Sequence, residues 1–125
     1  MRKNSLMSMA IASLVSSLLA TSAYATLRTQ QGLITVLAVP STVGNIPGVV
    51  DIVLDQPLAA TGCPGGTRGF EFDSNSVTDA DTRKNMLSML LGAKLTGANV
   101  TIVYDDGNTF CSTHGFAVPY SIQLN

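Results

Sequence analysis

The sequence lacks the residues on which several functional classes depend. Its 125 residues include one histidine and two cysteines, and its seven lysine and arginine residues form no basic run. A zinc site needs three or four ligands, and nucleic-acid binding needs a basic surface. His114 directly follows Ser112 and Thr113, a spacing that does not orient a catalytic triad, and no nucleophile elbow is present. We therefore predict no metal or other cofactor, no nucleic-acid partner and no enzymatic activity, with His114 an ordinary surface residue.

A long uninterrupted hydrophobic run is also missing. The most apolar stretch, Ile11 to Ala20, contains three serines and falls short of the roughly 20 apolar residues of a membrane-spanning helix. Arg2 and Lys3 precede this stretch and an A-x-A motif ending at Ala25 follows it, which is typical of a secretory signal peptide. We predict a signal peptide at 1–25 and a single domain at 26–125 that is secreted or periplasmic and has no membrane span. A retained membrane anchor is the less favoured alternative.

The predicted mature chain is mildly acidic and contains both cysteines. Once Arg2 and Lys3 are removed with the leader, five basic residues stand against eight acidic ones. Two cysteines allow one internal pairing, and an oxidising compartment favours it. We predict a disulfide between Cys63 and Cys111, which would stabilise the domain by roughly 4 kcal/mol because it closes a long loop. The alternatives, a metal site or a reactive thiol, lack supporting ligands.

Residues 79–104 predict one helix, a glycine stop and a strand. Apolar residues recur at helical spacing up to about Thr96, and Gly97 follows as a left-handed C-terminal residue. Thr78 followed by Asp81 has the outline of a capping box, and acidic residues suit the positive end of the helix dipole.

The predicted helix is apolar over about two-thirds of its circumference, whereas one sheet covers an arc nearer 100°. The surplus predicts a second buried contact, made either by a neighbouring subunit or by loops of the same chain. In the first alternative the oligomer interface contains Met86, Met89, Leu91 and Leu95.

Five segments rich in β-branched and aliphatic residues are predicted as strands. They cover residues 32–40, 49–54, 69–72, 100–104 and 116–124. With the helix between the third and fourth strands, the order is β-β-β-α-β-β. The predicted fold is mainly β with one helix, a small five-stranded barrel like the oligonucleotide/oligosaccharide-binding (OB) fold. Asp51 is expected on an outer face or edge, and Pro119 indicates an edge strand or a bulge.

Binding is the function that remains after these exclusions. Exposed aromatic rings and small hydroxyl side chains commonly hold sugars or peptides. The aromatic side chains available for this are Phe70, Phe72, Tyr104, Phe110, Phe116 and Tyr120. Most of them are expected in the core, so a binding surface would use the remainder.

The segment NMLSMLLGAKLTGANVTIVY, residues 85–104, resembles the helix and following strand of the B subunits of subtilase-cytotoxin-like and pertussis-like AB5 toxins. It is also similar to a wider set of short exported bacterial proteins. The toxin resemblance implies a secreted OB-fold subunit that forms a homo-pentamer around its helices, joins a catalytic A subunit and binds sialylated host glycans. The alternative function is a stand-alone periplasmic accessory or structural protein without a glycan site.

The same resemblance implies that glycan contacts lie on the first strand. In those B subunits a serine shortly after a glycine contacts the glycan, and Thr35 after Gly32 takes its position here. The neighbouring acidic residue of the family corresponds to Gln31, which is uncharged. The implied glycan-binding residues are therefore Thr35 and Gln31, both of which differ from the family's pattern.

Overall fold

The computed structural model describes residues 25–39, 42–43 and 46–125. Residues 1–24 of the predicted signal peptide lie outside these ranges. The described elements, in chain order, are β1 Leu27–Ala38, β2 Thr42–Val43, β3 Ile46–Pro47, β4 Val50–Leu54, β5 Phe70–Phe72, α1 Ala80–Thr96, β6 Asn99–Asp105 and β7 Pro119–Leu124.

Five of the strands form one antiparallel sheet in the order β5-β4-β1-β6-β7. The prediction of a mainly β domain with one helix, placed between the third and fourth strands of this sheet, is confirmed. Within the described residues the sheet is not closed into a barrel. Its two ends approach at a single parallel bridge between Phe70 and Ala117, where the Glu71 N–H donates to the Ala117 carbonyl at 3.1 Å. The fold is therefore OB-like, with an open seam between β5 and the start of β7.

The core lies between the inner face of this sheet and α1. Alternate residues of β4 and β6 are buried, which is the period-two pattern of strands with one covered face. The helix contributes Met86, Leu90 and Ala93 to the core. The largest fully buried side chains are Tyr104, Phe70, Phe72, Ile52, Leu90 and Ile102.

Two strand predictions were wrong in their limits by more than one residue, and two short strands were not predicted. β1 begins at Leu27, not at residue 32, because its first residues pair with β6 from Asp105 back to Asn99. β7 begins at Pro119, not at residue 116, and it forms one edge of the sheet, as a proline within the segment indicated. The short strands β2 and β3 pair with each other within residues predicted as loop. Pairing partners that are distant in sequence set the limits of β1 and β7, so local composition does not reveal them.

The helix ends as predicted but is capped by a different residue. Gly97 has a φ of 67° and its N–H donates to the Ala93 carbonyl, which confirms the left-handed stop. At the other end Asp79, not Thr78, is the N-cap. Its carboxylate accepts hydrogen bonds from the backbone N–H and the hydroxyl of Thr82, at 2.7 and 2.6 Å. Aspartate is a stronger N-cap than threonine, which is why the helix begins one residue later than the capping box implied.

The predicted disulfide is present. Cys63 and Cys111 are bonded, with Cα atoms 5.7 Å apart. The bond ties the loop after β4 to the segment that follows β6. Gly62 permits this close approach, since a Cβ at that position would lie 2.8 Å from the backbone of Gly107.

Candidate functional site

The glycan contacts implied by the resemblance, Thr35 and Gln31, both lie exposed on β1. A β-bulge makes Thr35 the extra residue opposite β4, between Ile34 and Val36. The Thr35 hydroxyl donates to the Val53 carbonyl at 3.0 Å. Four residues along a strand span about 13 Å, so the structure does not bring Gln31 to Thr35. The Gln31 amide instead lies 3.4 Å from the hydroxyl of Thr101 on β6.

The helix covers the backbone of the β1 bulge. The ammonium of Lys94 donates to the carbonyls of Ile34 and Thr35, at 3.0 and 2.8 Å. A bulge locally disrupts the ladder of backbone hydrogen bonds, and here Lys94 supplies donors to the interrupted strand. The polar groups at this bulge are therefore already partnered within the domain.

The six aromatic side chains named above divide into buried and exposed sets. Phe70 and Phe72 are buried, and Phe70 meets the buried ring of Tyr104 edge to face at 5.2 Å. The guanidinium of Arg68 covers the Phe116 ring at 4.8 Å. The rings of Phe110 and Tyr120 stack with centroids 4.6 Å apart, and Tyr120 is 53% exposed.

A second bulge explains why Tyr120 faces outward. In the pairing of β6 with β7, Val103 lies opposite Ser121 and Tyr104 lies opposite Pro119, so Tyr120 is the extra residue. Bulges redirect side chains and are common near binding sites. Tyr120 leaves the inner face on which Val118 and Ile122 are buried, and its ring lies against Phe110.

The stacked rings form one side of a cleft of about 270 Å³. The start of α1 and the loop before it supply the other part of the lining, which is rich in hydroxyl groups. The lining residues are Ser76, Val77, Thr78, Asp79, Thr82, Met86, Phe110, Pro119 and Tyr120. The cleft thus combines an apolar aromatic wall with a polar wall, which is the usual composition of a small-molecule site.

Asp79 gives the polar wall a negative charge. Hydrogen bonds from the hydroxyl and backbone N–H of Thr82, together with the charge of Arg83, hold the pKa of Asp79 below its usual range. Both hydrogen bonds go to Oδ2. The guanidinium of Arg83 donates to the Val77 and Thr78 carbonyls. Among the described residues that line the cleft, Asp79 is the only one with a charged side chain.

A cluster of ionisable side chains at the β4–β5 end of the sheet was not predicted from the sequence. Asp51 lies opposite Glu71 and is only partly buried, on the face of β4 away from Val50 and Ile52, which confirms the expected outer-face position; the strand itself lies between β1 and β5 and is not an edge. Burial and the adjacent Glu71 carboxyl raise the pKa of Asp51, while Arg68 and His114 act in the opposite direction. His114 is exposed, as predicted, and its Nδ1 lies 2.8 Å from Oε1 of the buried Glu71, a pairing that the sequence did not indicate.

The fully buried Asp73 completes this cluster and fixes the loops around it. Its carboxylate accepts hydrogen bonds from the N–H groups of Asn75, Ser76 and Thr113, at 2.9, 2.8 and 3.1 Å. Burial alone would raise the pKa of Asp73, but these hydrogen bonds outweigh it and lower the pKa.

Glu71, Asp73 and His114 bring potential metal-ligand atoms within 4.8 Å of one another. Asp73 accepts hydrogen bonds from the loops, and Glu71 is paired with His114. These internal hydrogen bonds account for the arrangement, so we interpret the cluster as structural.

The predicted interface residues occupy different environments. Met86 is buried in the core and Met89 packs against it. Leu91 and Leu95 are exposed to 43% and 84%. Of the four residues, these two leucines are available to a partner.

Sequence reasoning missed the cleft although one signal for it was present. Pro119 in the last strand indicated an edge or a bulge, but an unbroken alternation through the segment would have placed Tyr120 on the buried face. The stacking of Phe110 on Tyr120 joins residues on both sides of a loop, which periodicity does not reveal.

Comparisons with protein-family models, with curated protein sequences and with solved structures find no match for this chain. Across the described ranges, no helix has both the length and the apolar content to cross a membrane. The geometry of the cleft is therefore the basis for assigning a function.

Proposed function

We propose that this chain is an exported, non-enzymatic module that binds a neutral sugar ring in the cleft beside Tyr120. The observation that carries the proposal is the half-exposed Tyr120 ring, stacked on Phe110 and lining the same small cleft as the Asp79 carboxylate. The disulfide supports export, since such bonds persist in oxidising compartments.

The two walls of the cleft match the two kinds of surface on a sugar. The C–H face of a pyranose is apolar and packs on an aromatic ring, while its hydroxyls need hydrogen-bonding partners. Tyr120 offers the ring, and the Asp79 carboxylate and the Thr78 and Thr82 hydroxyls offer polar atoms. At about 270 Å³ the cleft is smaller than the 300–1,000 Å³ typical of drug-sized ligands, which favours a single ring.

The charge of the cleft favours a neutral sugar over an acidic one. Asp79 is ionised at neutral pH, since the ordinary pKa of an aspartate is about 3.9 and that of Asp79 is lowered further. An acidic sugar such as sialic acid would place a second carboxylate beside it, and like charges at this range repel. The proposed ligand thus differs from the sialylated glycans that the toxin resemblance implies.

Titration of the protein with neutral methyl glycosides, followed by NMR, tests this proposal. A single ring of about 12 non-hydrogen atoms at roughly 0.3 kcal/mol per atom gives a Kd on the order of millimolar. Tyr120→Ala should weaken binding at least about tenfold, whereas Leu124→Ala, an equally exposed change on β7, should leave it unchanged. Absence of binding to any neutral glycoside, or equal binding by both variants, would refute the proposal.

Asp79→Asn tests the charge argument separately. Asparagine is a comparable N-cap, so the helix start should persist. The variant should reduce the preference for neutral over sialylated sugars severalfold, as measured by the ratio of their Kd values. An unchanged ratio would show that Asp79 does not set the preference even if neutral sugars bind.

Self-association through α1 is a second candidate function, favoured by the exposure of Leu91 and Leu95 on adjacent turns. The partner would be a second copy of the chain, as in the rings of the toxin B subunits, and a catalytic subunit would dock on such a ring. Light scattering should then give an oligomer for the wild type and for Asn85→Glu, an exposed change about 100° around the helix from the two leucines, but a monomer for Leu91→Glu with Leu95→Glu. A monomeric wild type contradicts this proposal and leaves the sugar site untouched.

A further inference from the structure

The start of β1 is attached to the turn after β6 through one carboxylate. The backbone N–H of Thr26 donates to Oδ1 of Asp106 at 2.8 Å, and the Asp106 N–H donates back to the Thr26 carbonyl at 3.0 Å. The other carboxylate oxygen, Oδ2, forms an ion pair with the guanidinium of Arg28. The Asp106 side chain is 14% exposed, so the carboxylate is largely enclosed by its partners.

The Thr26 nitrogen, whose N–H donates to Asp106 Oδ1, belongs to the Ala25–Thr26 peptide bond, where the leader is predicted to be cleaved. The A-x-A motif ends at Ala25, and Ala25 is exposed. Hydrolysis there would add water across the Ala25–Thr26 bond, leaving a carboxylate on Ala25 and an amine on Thr26. That amine is protonated at neutral pH, because the ordinary pKa of an α-amino group is about 7.7–8.0.

The charges around Oδ1 are complementary to such an ammonium. Asp105 and Asp106 supply two negative charges on the β6 side, and Arg28 supplies one positive charge from β1. The Asp105 carboxylate accepts from the Gly107 N–H at 2.6 Å, which fixes it in the same turn. With the peptide bond intact the group has a net charge of minus one, and an ammonium on Thr26 would neutralise it.

We propose that Asp106 is the receptor for the new N-terminus, so that removal of the leader after Ala25 converts a neutral N–H contact into an ion pair that fixes the start of β1. The ammonium has three donors where the amide has one, and Oδ1 is already in hydrogen-bonding position. Removal of the leader and the fixing of the start of β1 are thereby coupled. This inference does not depend on the sugar site.

The test uses the full chain, expressed in a host that exports and processes it. Mass spectrometry of the purified product should give a chain beginning at Thr26. NMR titration of a ¹⁵N-threonine-labelled sample should then give an α-amine pKa above the ordinary range of about 7.7–8.0. Asp106→Asn should return this pKa to the ordinary range, while the matched change Asp105→Asn should lower it less.

Two results would overturn the inference: a mature chain that begins at another residue, or an α-amine that titrates identically in wild type and Asp106→Asn. Should Asp106→Asn fail to fold, the wild type can be titrated again in about 1 M salt, where the Debye length is roughly 3 Å. The raised pKa should fall toward the ordinary range as the pair is screened. A pKa in the ordinary range at both salt concentrations contradicts the ion pair.

Discussion

Two bulges in the same sheet, at Thr35 in β1 and at Tyr120 in β7, have opposite consequences. Both insert one extra residue into an antiparallel pair. At Thr35 the helix lies above the bulge, and Lys94 donates hydrogen bonds to two of its carbonyls. These backbone groups therefore have partners within the domain. At Tyr120 the strand is an edge, and the extra side chain turns outward onto Phe110. A bulge becomes a candidate site where the side chain it redirects, like the half-exposed Tyr120 ring, presents an apolar surface to solvent.

Loss of the disulfide should lower the stability of the domain more than any of the other changes. It should also disturb the structure around the Tyr120 bulge more than that around the Thr35 bulge. Cys111 follows Phe110, so the bond anchors the aromatic wall of the cleft. Replacing both cysteines by serine should lower the free energy of unfolding by about 4 kcal/mol on the chain-entropy model, measured by urea unfolding. In the folded variant, amide shifts should change more at Phe110 and Tyr120 than at Thr35. Reduced wild type is the control, and equal stability of the oxidised and serine forms would contradict the expectation.

Lys94→Met tests the covered bulge. Hydrogen bonds to a charged group contribute about 1.5–3 kcal/mol, and the exposure of Lys94 reduces the expected loss below this range, to about 1 kcal/mol. Thermal unfolding should show this destabilisation, while sugar binding should be unchanged. Lys84→Met is the matched control, because Lys84 makes only a long surface pair with Asp81 among the described residues. Equal effects of the two lysine changes would show that Lys94 does not support the bulge.

Thr35→Val distinguishes the two bulges as binding sites. Valine keeps the shape of threonine but removes the hydroxyl that donates to Val53. The free energy of unfolding should fall by about 0.5–1 kcal/mol, and the Kd for a neutral glycoside should not change. Thr29→Val, on the exposed part of the same strand, provides the baseline. A Kd that rises with Thr35→Val but not with Thr29→Val would favour the site implied by the toxin resemblance.

The smallest change in stability is expected for a substitution at Asp51, which should alter neither bulge. Asp51 has a raised pKa, so its protonation stabilises the fold below the ordinary value of about 3.9, and that contribution is lost as pH rises through the higher native pKa. At neutral pH the ionised Asp51 therefore lies unfavourably opposite Glu71.

Asp51→Asn should for this reason stabilise the domain at pH 7 by about 0.2–0.5 kcal/mol, the lower part of the range for a cross-strand pair, because Asp51 is partly exposed. The gain should shrink as the pH approaches 4, when measured by thermal unfolding across pH. Asp81→Asn, on the exposed start of α1, is the matched removal of one acidic side chain, and the difference between the two variants isolates the Asp51–Glu71 pair. A variant less stable than wild type at pH 7 would mean that Asp51 is favourably paired.

Local sequence patterns predicted the helix and the main strands, but not the pairing between strands or the bulges that this pairing creates. The alternation in β4 and β6 and the stop at Gly97 depend on neighbouring residues, and both were predicted. The disulfide was predictable because only one internal pairing exists. The extension of β1 and both bulges depend on the partner strand, which the sequence of one strand does not specify.

The candidate site was least predictable because its parts are distant in sequence. Asp79 begins α1, while Phe110 and Tyr120 lie beyond β6, on either side of a disulfide-held loop. The Glu71–His114 pair likewise joins residues 43 positions apart. In both cases the residue types were visible, and the folded sheet determines which of them are neighbours.

The most direct test of the central claim is a chemical-shift map of the ¹⁵N-labelled wild type as a neutral methyl glycoside is added. The largest shifts should fall on Thr82, Phe110 and Ser121, around the Tyr120 bulge, and the Thr35 bulge should remain unperturbed. Shifts concentrated on Gln31 and Thr35, or no shifts at millimolar glycoside, would contradict the assignment of the site.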